Sequence, residues 1–216
     1  MPLFQTVPPA IEPLTVADVK SHARIDTNDD DQLITNFLIP AARQKAELLT
    51  RRSFITQQWL AVLDAFPGSY LTGVPFGQTF GIPPHAVLLE RPPILSIQSI
   101  KYTAMDGTTG TMNPATDFVD LTFGATVRAD NLMRITPQFG KIWPITLPQI
   151  GSVQIAYTAG YGPLATSVPA TIRNWMLLRV AALYENREEV IVGTRIVVAE
   201  LPYIDGLLDE YIVGTT

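Results

Sequence analysis

The chain has 216 residues, of which only 16% are charged, against about 25% in an ordinary soluble domain. Its net charge of −5 argues against a protein that grips nucleic acid through phosphates, and the absence of cysteine excludes disulfides, thiolate catalysis and cysteine–zinc sites. No apolar run approaches the roughly 18 residues of a membrane helix, so we expect no membrane partner. So few charges in a soluble chain indicate surface hidden against partners, and we infer oligomerisation.

Two helices are predicted after a proline-rich, extended start. Thr15 should cap the first, short helix. Residues 29–52 should form the main one, because apolar residues recur there at spacings of three, four and seven. Pro40 lies inside this helix and lacks a backbone N–H, so it should kink the helix without ending it. Phe37 and Leu38 lie on the apolar stripe, and we expect them to pack in the core or in a ring contact.

The middle of the chain is predicted to form strands joined by turns. Asp106–Gly107 is a typical hairpin turn. Residues 67–84 read as a long loop that carries the aromatic residues Tyr70, Phe76 and Phe80, and long loops in compact domains are usually functional. The strands are predicted at residues 54–66, 86–90, 97–104, 117–122, 131–135 and 152–157.

The chain becomes helical again near its C-terminus. Residues 170–185 are apolar on nearly every face, which is typical of a helix buried all round in a core or a subunit contact. Trp175, Met176 and Leu183 are its expected packing residues. A short last helix is predicted over residues 202–211.

These elements predict an α+β fold, in which a helical bundle carries an inserted small antiparallel β domain. The bundle would consist of the N-terminal helical hairpin and the C-terminal helices. Its expected range is 14–53 with 165–211, and that of the β domain is 54–164, with the long loop at 67–84 and a C-terminal tail at 212–216.

The inventory of catalytic residues is thin. His22 and His85 are the only histidines and lie in unlike contexts, and no nucleophile elbow or zinc-protease motif occurs. The acidic run at 26–31 begins like a calcium loop but lacks the glycine and glutamate that such a loop requires. We therefore expect no catalytic residue, cofactor or metal. The alternative is an enzyme with an acid or base in the β domain, drawn from Asp64, Glu90 and His85.

Five segments in order resemble head–tail connector proteins of long-tailed phages and gene transfer agents, also called head-completion or adaptor proteins. These are PLTVADVKSHARIDTNDDDQLITNFLIPAARQKAELLTRRSF, QQWLAVLDAFP, LERPPILSIQSIKY with its DG turn, VQIAYTAGYG and VPATIRNWMLLRVAALYENRE. The resemblance covers about Leu14 to Tyr211. Pro40 and the long loop depart from the pattern.

The resemblance implies a structural virion protein at the head–tail interface, assembled in the host cytoplasm. It implies a ring, expected to hold twelve copies, that lies beneath the portal, extends the DNA channel and receives the stopper or tail-completion protein. Isolated subunits could be monomers. Double-stranded DNA would pass without specific binding, and the net negative charge suits such a channel because like charge denies phosphates a binding surface. A portal- or tail-associated module that works outside a ring is the further alternative.

Two contact hypotheses follow from the implied role. The C-terminal segment would contact the portal, and the aromatic residues of the long loop, Tyr70, Phe76 and Phe80, would contact a neighbouring subunit or the next ring. The expected portal-contact residues are Leu207, Leu208, Tyr211, Ile212 and Val213.

Overall fold

The computed structural model describes residues 1–67, 85–120, 133–185 and 206–213. The helices, strands and contacts of the fold are those of these residues. The predicted loop contacts Tyr70, Phe76 and Phe80 lie outside them.

The helices occupy both ends of the chain. Thr15 caps the first helix as predicted: its hydroxyl accepts a bond from the Asp18 N–H, and the Asp18 carboxylate accepts one from the Thr15 N–H. The helices are α1 (Val16–Ala23), α2 (Asp31–Leu33), a π-helical turn (Ile34–Leu38), α3 (Ile39–Thr50) and α4 (Ala170–Glu185), with 3₁₀ turns at Ala165–Ser167 and Asp209–Tyr211.

The main helix is continuous through Pro40, as the sequence predicted. Its irregularity is the π-helical turn just before Pro40, in which the Ile39 N–H bonds to the Ile34 carbonyl, five residues back. Pro40 has no N–H and its ring would crowd the carbonyl four residues back, so the wider turn relieves a conflict that a regular α-helix would keep.

In the described part of the chain, eight strands form two antiparallel sheets. The large sheet has the order β1-β2-β8-β4-β5, and the small sheet has the order β3-β7-β6. The strands are β1 (Leu3–Val7), β2 (Gln57–Leu63), β3 (Val87–Leu89), β4 (Ile94–Thr103), β5 (Thr109–Thr111), β6 (Phe118–Asp120), β7 (Met133–Pro137) and β8 (Val153–Ala159).

The expected architecture, a helical bundle with a small inserted β domain, is wrong. Strand content is comparable to helix content, and each half has its own apolar core of 14 buried residues. The prediction failed because β1 was read only as an extended start and β5 is too short to recognise. Moreover, β1 comes from the N-terminus, so the large sheet is not built from an insertion alone.

Helix α4 is not buried on all sides within one chain. Ile172, Trp175, Met176 and Val180 are buried, whereas Leu183 is only half-buried. Leu177 and Leu178 are also only partly buried, so α4 is less enclosed than its sequence predicts.

Candidate assembly surfaces

A buried polar cluster joins the helices to the large sheet. One oxygen of the Glu47 carboxylate accepts bonds from the Phe54 backbone N–H and the Gln57 side-chain amide, both at 2.9 Å. The other oxygen accepts a bond from the Arg43 guanidinium at 2.8 Å. A buried charge is costly unless it is paired and hydrogen-bonded, so these bonds fix the position of α3 relative to the start of β2.

The N-terminal arm, residues 1–13, is tied to this cluster. The Glu12 carboxylate pairs with the Arg43 guanidinium at 2.8 Å, and the Gln5 side chain bonds to that of Gln57. Burial alone would lower the pKa of Arg43, but the carboxylates of Glu12 and Glu47 hold that pKa above its ordinary value. The arm is thus fixed in place, although much of its apolar surface faces solvent.

The loop between β7 and β8, residues 138–151, is called here the tip loop. It is anchored by Trp143, which is only 6% exposed. The Trp143 ring stacks on Phe66 with a centroid distance of 4.6 Å, and its indole N–H donates to the His85 carbonyl at 2.6 Å. The buried Thr146 pairs with the residue after β4. These contacts give an irregular loop a defined shape.

The same loop turns four large apolar side chains outward. Exposed fractions this high are unusual for such residues, since apolar side chains are normally sequestered where the chain allows it. We call these four residues the tip surface: Phe139 (102% exposed), Ile142 (81%), Ile145 (55%) and Ile150 (91%).

The single positive charge of the tip loop is balanced by an acid outside the loop. Its one charged residue, Lys141, pairs with the Asp117 carboxylate at 2.8 Å, and the Asn113 backbone N–H donates to the same carboxylate at 2.7 Å. These two bonds lower the pKa of Asp117 to about 2. An anchored, neutral, apolar surface fits contact with another protein and offers nothing to a phosphate backbone.

A second apolar surface is the outward face of the main helix. Phe37 is 65% exposed, Leu48 60% and Leu49 37%, and Ala41 lies exposed between them. Residues four and eleven apart share one side of a helix. We call Phe37, Ala41, Leu48 and Leu49 the outer helix face.

A third surface is the outer face of the large sheet. Strand register places Phe4, Leu60, Ala156 and Ser99 side by side across four strands. None is buried, and Phe4 is 56% exposed. We call this row and the two rows beside it the outer sheet face. The flanking residues are Val62, Gln154 and Lys101 in one row and Gln58, Thr158 and Ser96 in the other.

The C-terminal segment, residues 206–213, packs against the end of α3. Leu208 and Val213 are 1% and 4% exposed, and the Val213 N–H donates to the Thr50 carbonyl at 3.0 Å. The buried Arg52 guanidinium donates to the Tyr211 carbonyl at 2.6 Å. Two of the five expected portal-contact residues are therefore buried within this chain.

The other three expected portal-contact residues are more accessible. Leu207 and Tyr211 are half-buried, and Ile212 is 44% exposed. Asp209 and Glu210 beside them are exposed, so the accessible surface of the segment is apolar and acidic.

The expected packing residues fall into two groups. Trp175 and Met176 are buried in the helical core, and Leu38 and Leu183 are half-buried. Phe37 does not pack in the core of its own chain, because it points into solvent on the outer helix face. Its expected role in ring packing stays a prediction.

The residues considered for an enzyme do not converge. Asp64 accepts the Gly151 N–H after β2, Glu90 offers its backbone carbonyl to the Tyr157 hydroxyl, and His85 is exposed. His22 lines an open cleft of about 380 Å³ between α1 and α4. Among the described residues, no three acidic or histidine side chains come together in a way that could hold a metal ion.

The described residues define a class by fold: an α+β chain with two antiparallel sheets and exposed apolar faces. Comparison with known proteins shows which of them this chain resembles. Residues 13–78 match the family model of "Phage gp6-like head-tail connector protein". This confirms the resemblance first seen in the sequence, over roughly the first third of the chain. A search of curated proteins gave no match.

Solved structures match the whole chain in fold. One comes from the virion of a native gene transfer agent particle, with 19% identity, a TM-score of 0.70, and coverage of 100% of this chain and 97% of that one. Another is from the neck of an empty gene transfer agent particle computed with C6 symmetry, at 20% identity and a TM-score of 0.70, with the same coverage. A third, from the neck of a native particle computed with C12 symmetry, has 18% identity, a TM-score of 0.66 and again the same coverage.

Sequence reasoning missed the tip surface and the outer sheet face. The tip loop could have been noticed as a charge-poor run, QFGKIWPITLPQI, between two strands. The sheet face depends on strand register, which one sequence does not reveal. Within the described residues, every helix falls short of the length and apolarity needed to span a bilayer.

Proposed function

We propose that this chain is a structural head–tail connector of a phage-like particle. Its copies form a ring at the neck, below the portal, and the ring continues the DNA channel towards the tail. The observation that carries the proposal is the match of the whole fold to subunits of particle necks, joined to the family match of residues 13–78.

The surfaces of the chain support a structural role and not an enzymatic one. The described residues offer three apolar or uncharged faces, and the acids and histidines considered for catalysis are scattered. Apolar faces on a subunit of low charge are typical of interfaces. The matched necks were computed with sixfold and twelvefold symmetry, which favours a ring of twelve copies here as well.

The C-terminal segment is our candidate for portal contact. Leu208 and Val213 would anchor the segment to its own subunit, while Ile212, Tyr211 and Leu207 face the portal. Because the segment is already held by Arg52 and Thr50, docking would not have to pay the full entropy of ordering it.

The tip surface is our candidate for contact with the stopper or tail-completion protein. It is apolar, neutral and rigidly anchored, which favours a protein partner. DNA would pass through the ring without specific binding, since a chain with a net charge of −5 offers phosphates little attraction.

The test is a mass measurement of the purified chain alone and with its portal protein. We expect a discrete complex of portal and about twelve copies of the chain, seen as a ring by electron microscopy, even if the isolated chain is a monomer. Single copies bound to the portal would favour a module that works outside a ring. Absence of any portal binding would contradict the proposal.

A further inference from the structure

The outer sheet face is unusual because it is almost uncharged. The three rows that define it span four strands, and Lys101 is the only charged residue in them. The solvent face of an antiparallel sheet normally carries polar and charged side chains opposite a buried apolar face. Here the central row is Phe4, Leu60, Ala156 and Ser99, a shallow surface of apolar and small side chains.

The opposite face of the same sheet is covered by the chain's own apolar core. Ala61, Ile155 and Ile100 lie side by side there and are all 1% exposed or less. The outer row is one residue away along each strand, and its members Leu60, Ala156 and Ser99 are only partly buried.

The outer helix face lies on the side of α3 that points away from the core. Its neighbours along the helix, Ala42 and Ala46, are fully buried, whereas Phe37, Ala41 and Leu48 are exposed. Among the exposed residues from Phe37 to Leu49, Lys45 is the only charged one. The helix therefore carries apolar side chains on the side away from the core as well, which is expected of a helix with a second partner.

We propose that, in the ring, the outer helix face of one copy packs on the outer sheet face of the next copy. This inference rests on the proposed ring. Rotational symmetry of a ring requires contact between two different surfaces of the same chain, repeated around the axis. A helix packed on a sheet is one of the few stable ways of layering secondary structure, and each subunit carries one open face of each kind.

The area of the outer sheet face is small for a contact between two isolated copies. With strands about 4.8 Å apart and about 3.3 Å per residue, the three rows cover roughly 20 by 20 Å, or about 400 Å². A stable pair of proteins usually buries about 800 Å² on each partner. Two isolated copies should therefore associate weakly, and the contact should form when a portal brings many copies together.

Single cysteines provide the test, because the chain has none of its own. Three variants are Ala156→Cys in the outer sheet face, Ala41→Cys in the outer helix face, and the control Asn174→Cys, at an exposed position of α4 on neither face. Each is reacted with a fluorescent maleimide, once as the isolated subunit and once in the portal-bound ring.

We expect the first two thiols to react about tenfold or more slowly in the ring than in the subunit, because a covered group reacts only when the contact opens. The control should keep its rate within about twofold, as an exposed thiol on neither face should. A ring in which Cys labelling at positions 156 and 41 is as fast as in the subunit would overturn this inference and leave the proposed function standing. Failure of the unmodified chain to form any ring would overturn both.

A charge pair tests whether the two faces meet each other. Ala156→Glu and Leu48→Lys should each prevent the ring, because each places an unpaired charge in an apolar contact. The double variant should recover part of it, since the two charges can pair across the contact. Circular dichroism of each subunit checks that the variants fold. Rings formed equally well by folded Ala156→Glu and by the unmodified chain would contradict the proposal.

Discussion

The tip loop and the C-terminal segment are attached in similar ways, but their apolar side chains point in opposite directions. Both are irregular, and both are attached by backbone bonds to the end of a regular element: Leu147 N–H to the Thr103 carbonyl at 3.0 Å, and Val213 N–H to the Thr50 carbonyl at 3.0 Å. In the C-terminal segment the apolar residues Leu208 and Val213 face the core. In the tip loop, four of them face solvent.

The difference lies in which side chain takes the anchoring position. In the tip loop, one large residue, Trp143, is buried by stacking on Phe66, while the four residues of the tip surface stay exposed. In the C-terminal segment the anchor on the body is polar: Arg52 holds the backbone at Tyr211, and the apolar side chains of the segment complete the helical core. One buried tryptophan thus holds a loop whose other large apolar side chains are exposed.

The largest expected effect is that of Trp143→Ala. The substitution removes the stacked ring and the bond to the His85 carbonyl. Loss of a buried tryptophan typically costs about 3–5 kcal/mol of unfolding free energy. Urea unfolding should show this loss, and hydrogen exchange in the tip loop should rise. A change below about 1 kcal/mol would mean that the loop does not depend on its anchor.

A smaller effect is expected from Arg52→Ala. This removes a buried guanidinium that donates to the Tyr211 carbonyl and lies close to the Tyr161 hydroxyl. Burial raises the pKa of Tyr161 to about 12, partly offset by Arg52. The stability should fall by about 1–3 kcal/mol, the typical cost of a bond to a charged group.

Hydrogen exchange distinguishes a local from a general effect of Arg52→Ala. Amides at Ile212 and Val213 should exchange faster, while those of β8 should not. The surface substitution Arg51→Ala, at the adjacent exposed position, is the matched control. Equal exchange in both variants would show that the C-terminal segment does not depend on Arg52 and is held by its apolar residues and the bond to the Thr50 carbonyl.

The pH dependence of the tip loop should be governed by Asp117. Its folded-state pKa is lowered to about 2, below the ordinary unfolded value of about 3.9. Its contribution to stability is therefore complete above about pH 4 and is lost as the pH falls through about 2. Asp117→Asn should be less stable than the unmodified chain at neutral pH, and the gap in urea midpoint should close over that window. A gap independent of pH would exclude the carboxylate as its cause.

Much of the fold could be predicted from local pattern. The Thr15 cap, the main helix and α4 were predicted because each follows from spacing or capping within a few residues. Strand β1 was not predicted. Its sequence has no clear alternation of buried and exposed residues around Phe4 and Val7, and its pairing partner, β2, lies about fifty residues away. The pattern of a short edge strand carries little information without its neighbour.

The surfaces were harder to predict than the fold. Phe37 lies on an apolar stripe that includes the buried Ile34, and the stripe alone does not say which members face the core. The π-helical turn at Ile34–Leu38 shifts the phase of the helix just there, so residues that a regular helix would place inside turn outward. Burial of Leu208 and Val213 likewise depends on contacts with α3, far away in the chain.

The smallest effect on stability, and the most direct test of the tip surface, is expected from the double variant Phe139→Ser with Ile142→Ser. Both side chains are more than 80% exposed, so their removal should change the unfolding free energy by no more than about 0.5 kcal/mol. If the tip surface docks a neck partner, the same substitutions should weaken that docking, because exposed apolar residues at the centre of an interface contribute most of its affinity. The measurement is binding of the stopper or tail-completion protein to the portal-bound ring, with Thr108→Ala, in the hairpin turn between β4 and β5, as a control for changes elsewhere at the surface. Unchanged binding by the stable double variant would show that Phe139 and Ile142 face solvent in the particle as well, and that the apolar character of the tip only reflects the space taken by Trp143.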